Sequence, residues 1–270
     1  MIEIRQCHEK VVDVKKMYSK TARELNQRMK LCYSDKLILT VEIIKKALEN
    51  NKKPVIASSF GKDSVVLLHL VHQIDNTIPV AFNNTGVNFT ETIEYMNKLK
   101  KDWNLKIYEL KPKKTFWEVV KEHGYPKQSR SSKTGDKREP KCCKILKIEP
   151  LHRFIKGYKP DIIFVGLLGD EGRQRRWVYI YKGGALYEHK SERVNKCIPL
   201  IWWTTKDIWH YHDIEKIPRN PVYEKYEIER TGCIPCTGHI GWKKQLARIK
   251  PKLYIKISHD MGQRLISDYR

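Results

Sequence analysis

The 270-residue sequence predicts an α/β fold, a parallel sheet with helices on both faces, and three observations carry that expectation. Short apolar runs rich in β-branched residues, Val55-Ile56-Ala57, Ile78-Pro79-Val80-Ala81-Phe82 and Ile162-Ile163-Phe164-Val165, read as buried strands. Between them lie segments with helical periodicity, the spacing that parallel strands need for their crossovers. Segments of small and polar residues, Ser58–Ser64, Asn84–Gly86 and Gly166–Arg176, begin where those strands end. In such sheets ligands bind at the carboxyl ends of strands.

Residues 1–34 read as an amphipathic helical extension without a motif. A helix over about 35–50 sets Leu37, Leu39, Val41, Ile43, Ile44 and Leu48 among lysines and stops at Asn50-Asn51, before Pro54. The first strand then leads through a tight loop into a helix over 63–73. Next come a strand Ile78–Asn83, a helix over about 90–101, a strand Lys106–Leu110 and a helix near 115–122. Gly124–Lys141, rich in Lys, Ser and Gly, reads as a loop. A helix over 143–157 precedes the strand Asp161–Gly166. The expected organisation is an N-terminal helical extension at 1–34, a nucleotide-binding domain at 35–240 and a basic helical tail at 241–270. No internal repeat or low-complexity tract interrupts it.

Fifty-three Lys and Arg against 31 Asp and Glu leave a net charge of +22, spread along the chain. Such a field attracts polyanions, nucleic acid among them. Thermophile-type enrichment would raise Glu together with Lys, and here the balance is lopsided. No signal-peptide pattern or membrane-length apolar run is present, so the expectation is a cytoplasmic protein without a membrane partner. Seven cysteines in that setting argue for metal or redox use rather than a disulfide framework. Cys7, Cys32 and Cys197 stand alone, and Cys197, before Pro199-Leu200, reads as a buried strand end.

The run Ser58-Ser59-Phe60-Gly61-Lys62-Asp63-Ser64 joins a strand to a helix. Backbone N–H groups and a helix N-terminus there face an anion, Lys62 adds positive charge, and Ser59 and Ser64 add hydroxyls. It is not the G-x-x-x-x-G-K-[ST] phosphate loop. It resembles instead the S-G-G-K-D-S loop of ATP pyrophosphatases, with Phe60 in place of the first glycine. Three guanidinium groups, Arg173, Arg175 and Arg176, follow a strand end and suit a bidentate grip on phosphate.

Further blocks extend the likeness: Asn84-Thr85-Gly86-Val87-Asn88-Phe89-Thr90-Glu91-Thr92, Pro199–Trp209, Asn220–Tyr223 and Gly232–Thr237. Together and in this order they resemble the phosphoadenylyl-sulfate (PAPS)/adenylyl-sulfate reductase family, within the adenine-nucleotide α-hydrolase-like group. Coverage runs from about 35 to 240. The resemblance implies a Rossmann-like sheet and an adenine nucleotide, either ATP with Mg²⁺ or adenylyl sulfate and its 3′-phosphate. It implies nucleotide contacts from Ser58, Ser59, Phe60, Gly61, Lys62, Asp63, Ser64, Asn84, Thr85, Gly86, Gly166, Glu171, Arg173 and Arg176, with Lys62, Asp63 and Ser64 catalytic. Asn84 stands where the family pattern has aspartate.

Cys142-Cys143 and Cys233-x-x-Cys236 are the remaining pairs. A C-x-x-C grips zinc or an iron–sulfur cluster. Adjacent cysteines are awkward on one tetrahedral zinc but reach different irons of a cluster, while free thiols stay open as a third reading. The pattern is similar to the cluster-binding adenylyl-sulfate reductases, which implies a four-iron, four-sulfur (4Fe-4S) centre on Cys142, Cys143, Cys233 and Cys236.

Two departures shape the functional expectation. Family reductases attack sulfur with a cysteine in an E-C-G-x-H motif, and within these 270 residues no cysteine follows Cys236. The loop also keeps Lys62-Asp63, which suits a Mg-bound triphosphate. The first expectation is therefore an ATP-pyrophosphatase-type sulfurtransferase with a nucleic-acid acceptor and a sulfur- or electron-donor protein, with a homodimer admitted as its assembly. An adenylyl-sulfate reductase and a non-catalytic nucleotide- and cluster-binding regulator are the alternatives.

Overall fold

The computed structural model describes residues 17–126, 140–239 and 241–262. Most of the polar segment Gly124–Lys141 and the isolated Cys7 lie outside the described residues. Six strands form one sheet in the order β3-β2-β1-β4-β6-β5, flanked by helices. The chain divides into two compact units that interleave in sequence.

The first unit comprises residues up to Ser58, then Lys62–Val80 and Lys159–Arg219. Helix α1 (17–29) and helix α2 (Tyr33–Glu49) precede β1 (Pro54–Ala57), and helix α3 (Lys62–Ile74) follows it. The strand β4 (Ile162–Val165) runs parallel to β1, with Val55 opposite Ile163. Val65, Val66, Leu67, Leu68, Leu70 and Val71 are all buried, because α3 packs against β4, α2 and helix α9 (Thr205–Ile214). A stripe that wide belongs to a core helix, not a surface one.

The helix α9 starts at a capping box in which Thr204 accepts from the Asp207 amide and Asp207 accepts from the Thr204 amide. Buried Lys36 of α2 donates to the same Asp207 at 2.8 Å. Burial alone would raise the Asp207 carboxyl, but the Lys36 and Thr204 hydrogen bonds hold it below the usual carboxylate range. Trp202 and Trp203 are fully buried and donate to the Lys36 carbonyl and the Thr40 hydroxyl. That block of the sequence is therefore core.

One element departs from expectation. The strands β5 (Leu186–His189) and β6 (Val194–Cys197) form an antiparallel hairpin on the sheet edge, with only β6 parallel to β4. The sequence hides it because an edge strand needs few apolar residues, and Leu186-Tyr187-Glu188-His189 reads as polar turn. Cys197 is the buried strand end that its sequence context suggested, and burial pushes its thiol up.

The second unit comprises Ser59–Gly61, Ala81–Tyr158 and Asn220 onward. It holds β2 (Val80–Asn83) from Ala81 on, α4 (Thr90–Asp102), β3 (Ile107–Leu110) and α5 (Phe116–His123), whose start is a Thr115–Glu118 capping box. A continuous helical stretch follows: α6 (Lys141–Cys143), a π-helical turn (Lys144–Ile148) and α7 (Glu149–Tyr158). Pro150 explains the turn. It has no N–H for the Leu146 carbonyl and its ring would strike that carbonyl, so the ladder widens and the Glu149 amide bonds back to Lys144. Phe116, Val119, Val120, Cys142 and Leu146 make one small core here. After α10 (Val222–Tyr226), the helices α11 (Trp242–Ile249) and α12 (Pro251–Asp260) pack as a pair around Trp242, Leu246, Tyr254 and Ile257.

Candidate functional site

In the first unit, the head of α3 and the segment after β4 build a compact charged group. Gly166, just past β4, sits so close to the α3 backbone that an added Cβ would lie 3.1 Å from the Ser64 Cα. Glycine is required there by this close approach. The buried Lys62 ammonium donates to Asp63 at 2.7 and 3.0 Å and to Glu171 at 3.3 Å. Arg175 closes the group by pairing with Glu171. Burial pushes the Asp63 carboxyl up, Lys62 opposes that shift, and Glu171 adds to it.

Ser58 and Ser64, both buried, meet hydroxyl to hydroxyl at 3.3 Å. The Lys62 carbonyl lies 3.0 Å from buried His212 Nε2, and burial pushes that imidazole below its ordinary value. Two like carboxylates bound by one ammonium are hard oxygen donors of the type that Mg²⁺ takes. The α3 N-terminus is suited to an anion.

The three arginines do not act as one clamp. Arg173 is exposed, Arg175 is engaged with Glu171, and Arg176 buries its Nε without a hydrogen-bond partner.

In the second unit, Phe60 takes φ = 54°, the left-handed region that favours glycine. Its ring is fully buried, edge-on to Phe82 at 5.4 Å, and Asn220 donates to its carbonyl at 2.9 Å and to Thr92 at 3.1 Å. An added Cβ on Gly61 would meet Thr231 Oγ1 at 2.9 Å and Tyr223 Oη at 3.1 Å, so the loop's second small residue is also set by packing.

Asn84 accepts from the Gly86 amide and donates to Glu109 at 3.1 Å. Aspartate at this position would face the Glu109 carboxylate with no donor. The departure from the family pattern thus has a local cause. Thr85 is buried, donates twice to Asn88 at 2.8 Å, and contacts Cys233 Sγ at 3.5 Å.

Cys142 and Cys143 lie on α6, and Cys233 and Cys236 on a turn closed by the Cys236 amide bonding to the Cys233 carbonyl. A hydrogen bond with Cys143 pushes the Cys142 thiol up, helped by burial and by the charges of Cys236 and Cys233. Burial also pushes Cys236 up. Lys147, on the π-helical turn, is the residue that sequence reasoning missed. Cys233 foremost, against burial, and then Cys143, Cys236 and Cys142 raise its ammonium above the ordinary lysine value. Cysteine sulfurs are the donor type that iron–sulfur clusters take, and all four act on the Lys147 ammonium. Among the described residues no group of three His, Cys, Asp or Glu is arranged to hold a metal ion. The signal for Lys147 was in the sequence, four residues after Cys143, but lysine is too common here to stand out.

The mostly parallel sheet flanked by helices defines an α/β protein with a strand-to-helix loop after β1. Residues 53–239 match the phosphoadenosine phosphosulfate reductase domain, and the chain belongs to that family. It is 32% identical over 194 residues to the adenosine 5′-phosphosulfate reductase of Bacillus cereus, covering 72% of this chain and 76% of that protein. It is 33% identical over 224 residues to an uncharacterized protein of Methanocaldococcus jannaschii, covering 80% of this chain but 43% of that longer protein. Its fold is similar to the phosphoadenylyl-sulfate reductase of Candida auris (TM-score 0.54, 18% identity, 72% of this chain and 87% of that one). It is also similar to the FMN adenylyltransferase of Candida glabrata (0.53, 13%, 81% and 70%). At these identities the likeness is one of fold. No helix among the described residues is long and apolar enough to cross a membrane.

Proposed function

We propose that this chain binds ATP on the loop Ser58–Ser64 and uses it in sulfur transfer to a nucleic-acid acceptor. The observation that carries this reading is the buried Lys62 ammonium at the head of α3, paired with Asp63 and with Glu171 from the segment after β4. Lys62 is the cation for charge that develops on departing pyrophosphate, and the α3 N-terminus and Ser64 hydroxyl hold the same anion. Asp63 and Glu171 are the carboxylates that would hold Mg²⁺, once an anion draws the Lys62 ammonium away. The family resemblance assigns Ser59, Thr85 and Gly86 to the nucleotide as well.

In the reaction, an acceptor oxygen bonds to the α-phosphorus while the bond from that phosphorus to the bridging oxygen breaks and pyrophosphate leaves. A sulfur nucleophile from a donor protein then displaces AMP. Cys142, Cys143, Cys233 and Cys236 fit a four-iron, four-sulfur cluster, which when bound supplies iron chemistry for sulfur or electron transfer. Lys147 balances the charge of its thiolates.

A second reading, reduction of adenylyl sulfate, is favoured by the 32% identity to a protein named for that activity. In it Arg173 and Arg176 take the sulfate or phosphate. One experiment separates the two. Anaerobically purified protein is given ATP or adenylyl sulfate with thioredoxin, and pyrophosphate and sulfite are measured. Pyrophosphate from ATP without sulfite from adenylyl sulfate is the expected result. The reverse overturns the first reading in favour of the second.

A further inference from the structure

The first unit carries an exposed aromatic ladder that the nucleotide chemistry does not use. On α8 (Arg173–Lys182), Arg173, Trp177 and Tyr181 recur every four residues and share one face. Trp177 is 46% and Tyr181 56% exposed, where large aromatic rings are ordinarily covered. Their rings stack at 5.0 Å with 30° between planes, and Tyr18 of α1 abuts Tyr181 edge-on at 5.0 Å. Three rings from two helices thus meet one another at the surface.

Charge says what such a surface takes. Arg173 and Lys182 are exposed on α8, which has no carboxylate, and Lys20 is exposed on α1, two residues from Tyr18. Protein interfaces also enrich aromatic rings and arginine, but a surface for unpaired bases sets its rings among lysines as well as arginines, on a chain with a large positive excess to meet phosphates. The net charge of +22 favours the same polyanion.

We propose that Trp177 and Tyr181, buttressed by Tyr18, form a stacking platform for unpaired bases of a single-stranded nucleic acid. This rests on the reading that the acceptor is a nucleic acid, and it names where on the chain that acceptor lies.

The test uses the full chain and a fluorescein-labelled single-stranded RNA 20-mer, followed by anisotropy at two salt concentrations. The double variant Trp177→Ala/Tyr181→Ala should weaken binding by about 5- to 150-fold for each base unstacked. Trp177→Phe should retain most of the affinity. Pyrophosphate release from ATP in the absence of RNA should stay unchanged, and so should the melting temperature, because both rings are half exposed. The same strand made abasic should bind wild type as weakly as the double variant binds intact RNA.

Equal binding of wild type and the double variant overturns the platform alone. Equal affinity for intact and abasic strands reduces the contact to charge and also overturns it. Absence of RNA binding by wild type overturns both the platform and the nucleic-acid acceptor. A wild-type dimer that the double variant turns into monomer, with RNA affinity unchanged, assigns the rings to a second copy of the chain and overturns the proposal.

Discussion

Phe60 shows how one residue can satisfy a loop in an unusual way. Its φ of 54° is where the related loop pattern has glycine, and a bulky residue there costs about 1 kcal/mol. The burial of its ring against Phe82 offsets this, since removing a buried Phe costs about 3–5 kcal/mol. Phe60→Gly should therefore destabilise the protein by about 2 kcal/mol or more despite relieving the backbone, read as a fall in melting temperature. Lys62→Ala and Asp63→Asn should lower pyrophosphate release about 10²- to 10³-fold, the usual effect of removing one preorganised charge stabiliser. Unchanged turnover in both variants would remove the loop from the chemistry. Gly166→Ala should press on the Ser64 backbone, and a rise in the KM for ATP is the expected readout.

At the scale of elements, the cysteine pairs sit on two short segments whose spacing in sequence hides their proximity in space. Anaerobically purified protein should be brown with about four irons per chain, and Ala at Cys142, Cys143, Cys233 or Cys236 should each bleach it. Stoichiometric zinc without visible absorbance would rule the cluster out.

A second link joins α4 to α10, where Glu91 accepts from Lys225 at 2.5 Å and from the Tyr226 hydroxyl at 2.6 Å. Burial alone would raise Glu91, but hydrogen bonds from Lys225 and Tyr226 hold it down at about 2. A depressed carboxyl stabilises the fold fully above its ordinary value, and this contribution is lost as pH falls toward that folded value. Lys225 is exposed, so solvent screening keeps the effect small. Wild type should accordingly lose its margin over Glu91→Gln between about pH 5 and 2 in acid melts.

Over the whole molecule, the charge of +22 sets how a polyanion is met. If phosphates are neutralised by lysines and arginines, log K for RNA should fall linearly with log salt, with a slope near −0.7 per phosphate contacted on a single strand. A flat salt response would show that the positive field takes no part in binding.

Much of this was legible in the sequence, for a physical reason. Strands β1, β2 and β4 and helix α3 declare themselves because a buried strand or core helix must be apolar wherever it meets the interior. The loop Ser58–Ser64 declares itself because close backbone packing and anion chemistry restrict residue type. Edge strand β5 does not, since one solvated flank relaxes that demand. The π-helical turn was latent in Pro150 but needed the helix around it to be seen.

What the tertiary structure alone decided are the pairings between residues far apart in the chain. It gave Lys62 to Glu171, Asn220 to the Phe60 carbonyl, Cys233 to Lys147, and Tyr18 to Tyr181. Local composition dictates which segments are buried and which turn. Which charged groups meet depends on how the strands are ordered and how the crossovers return, and that is settled only when the whole core packs.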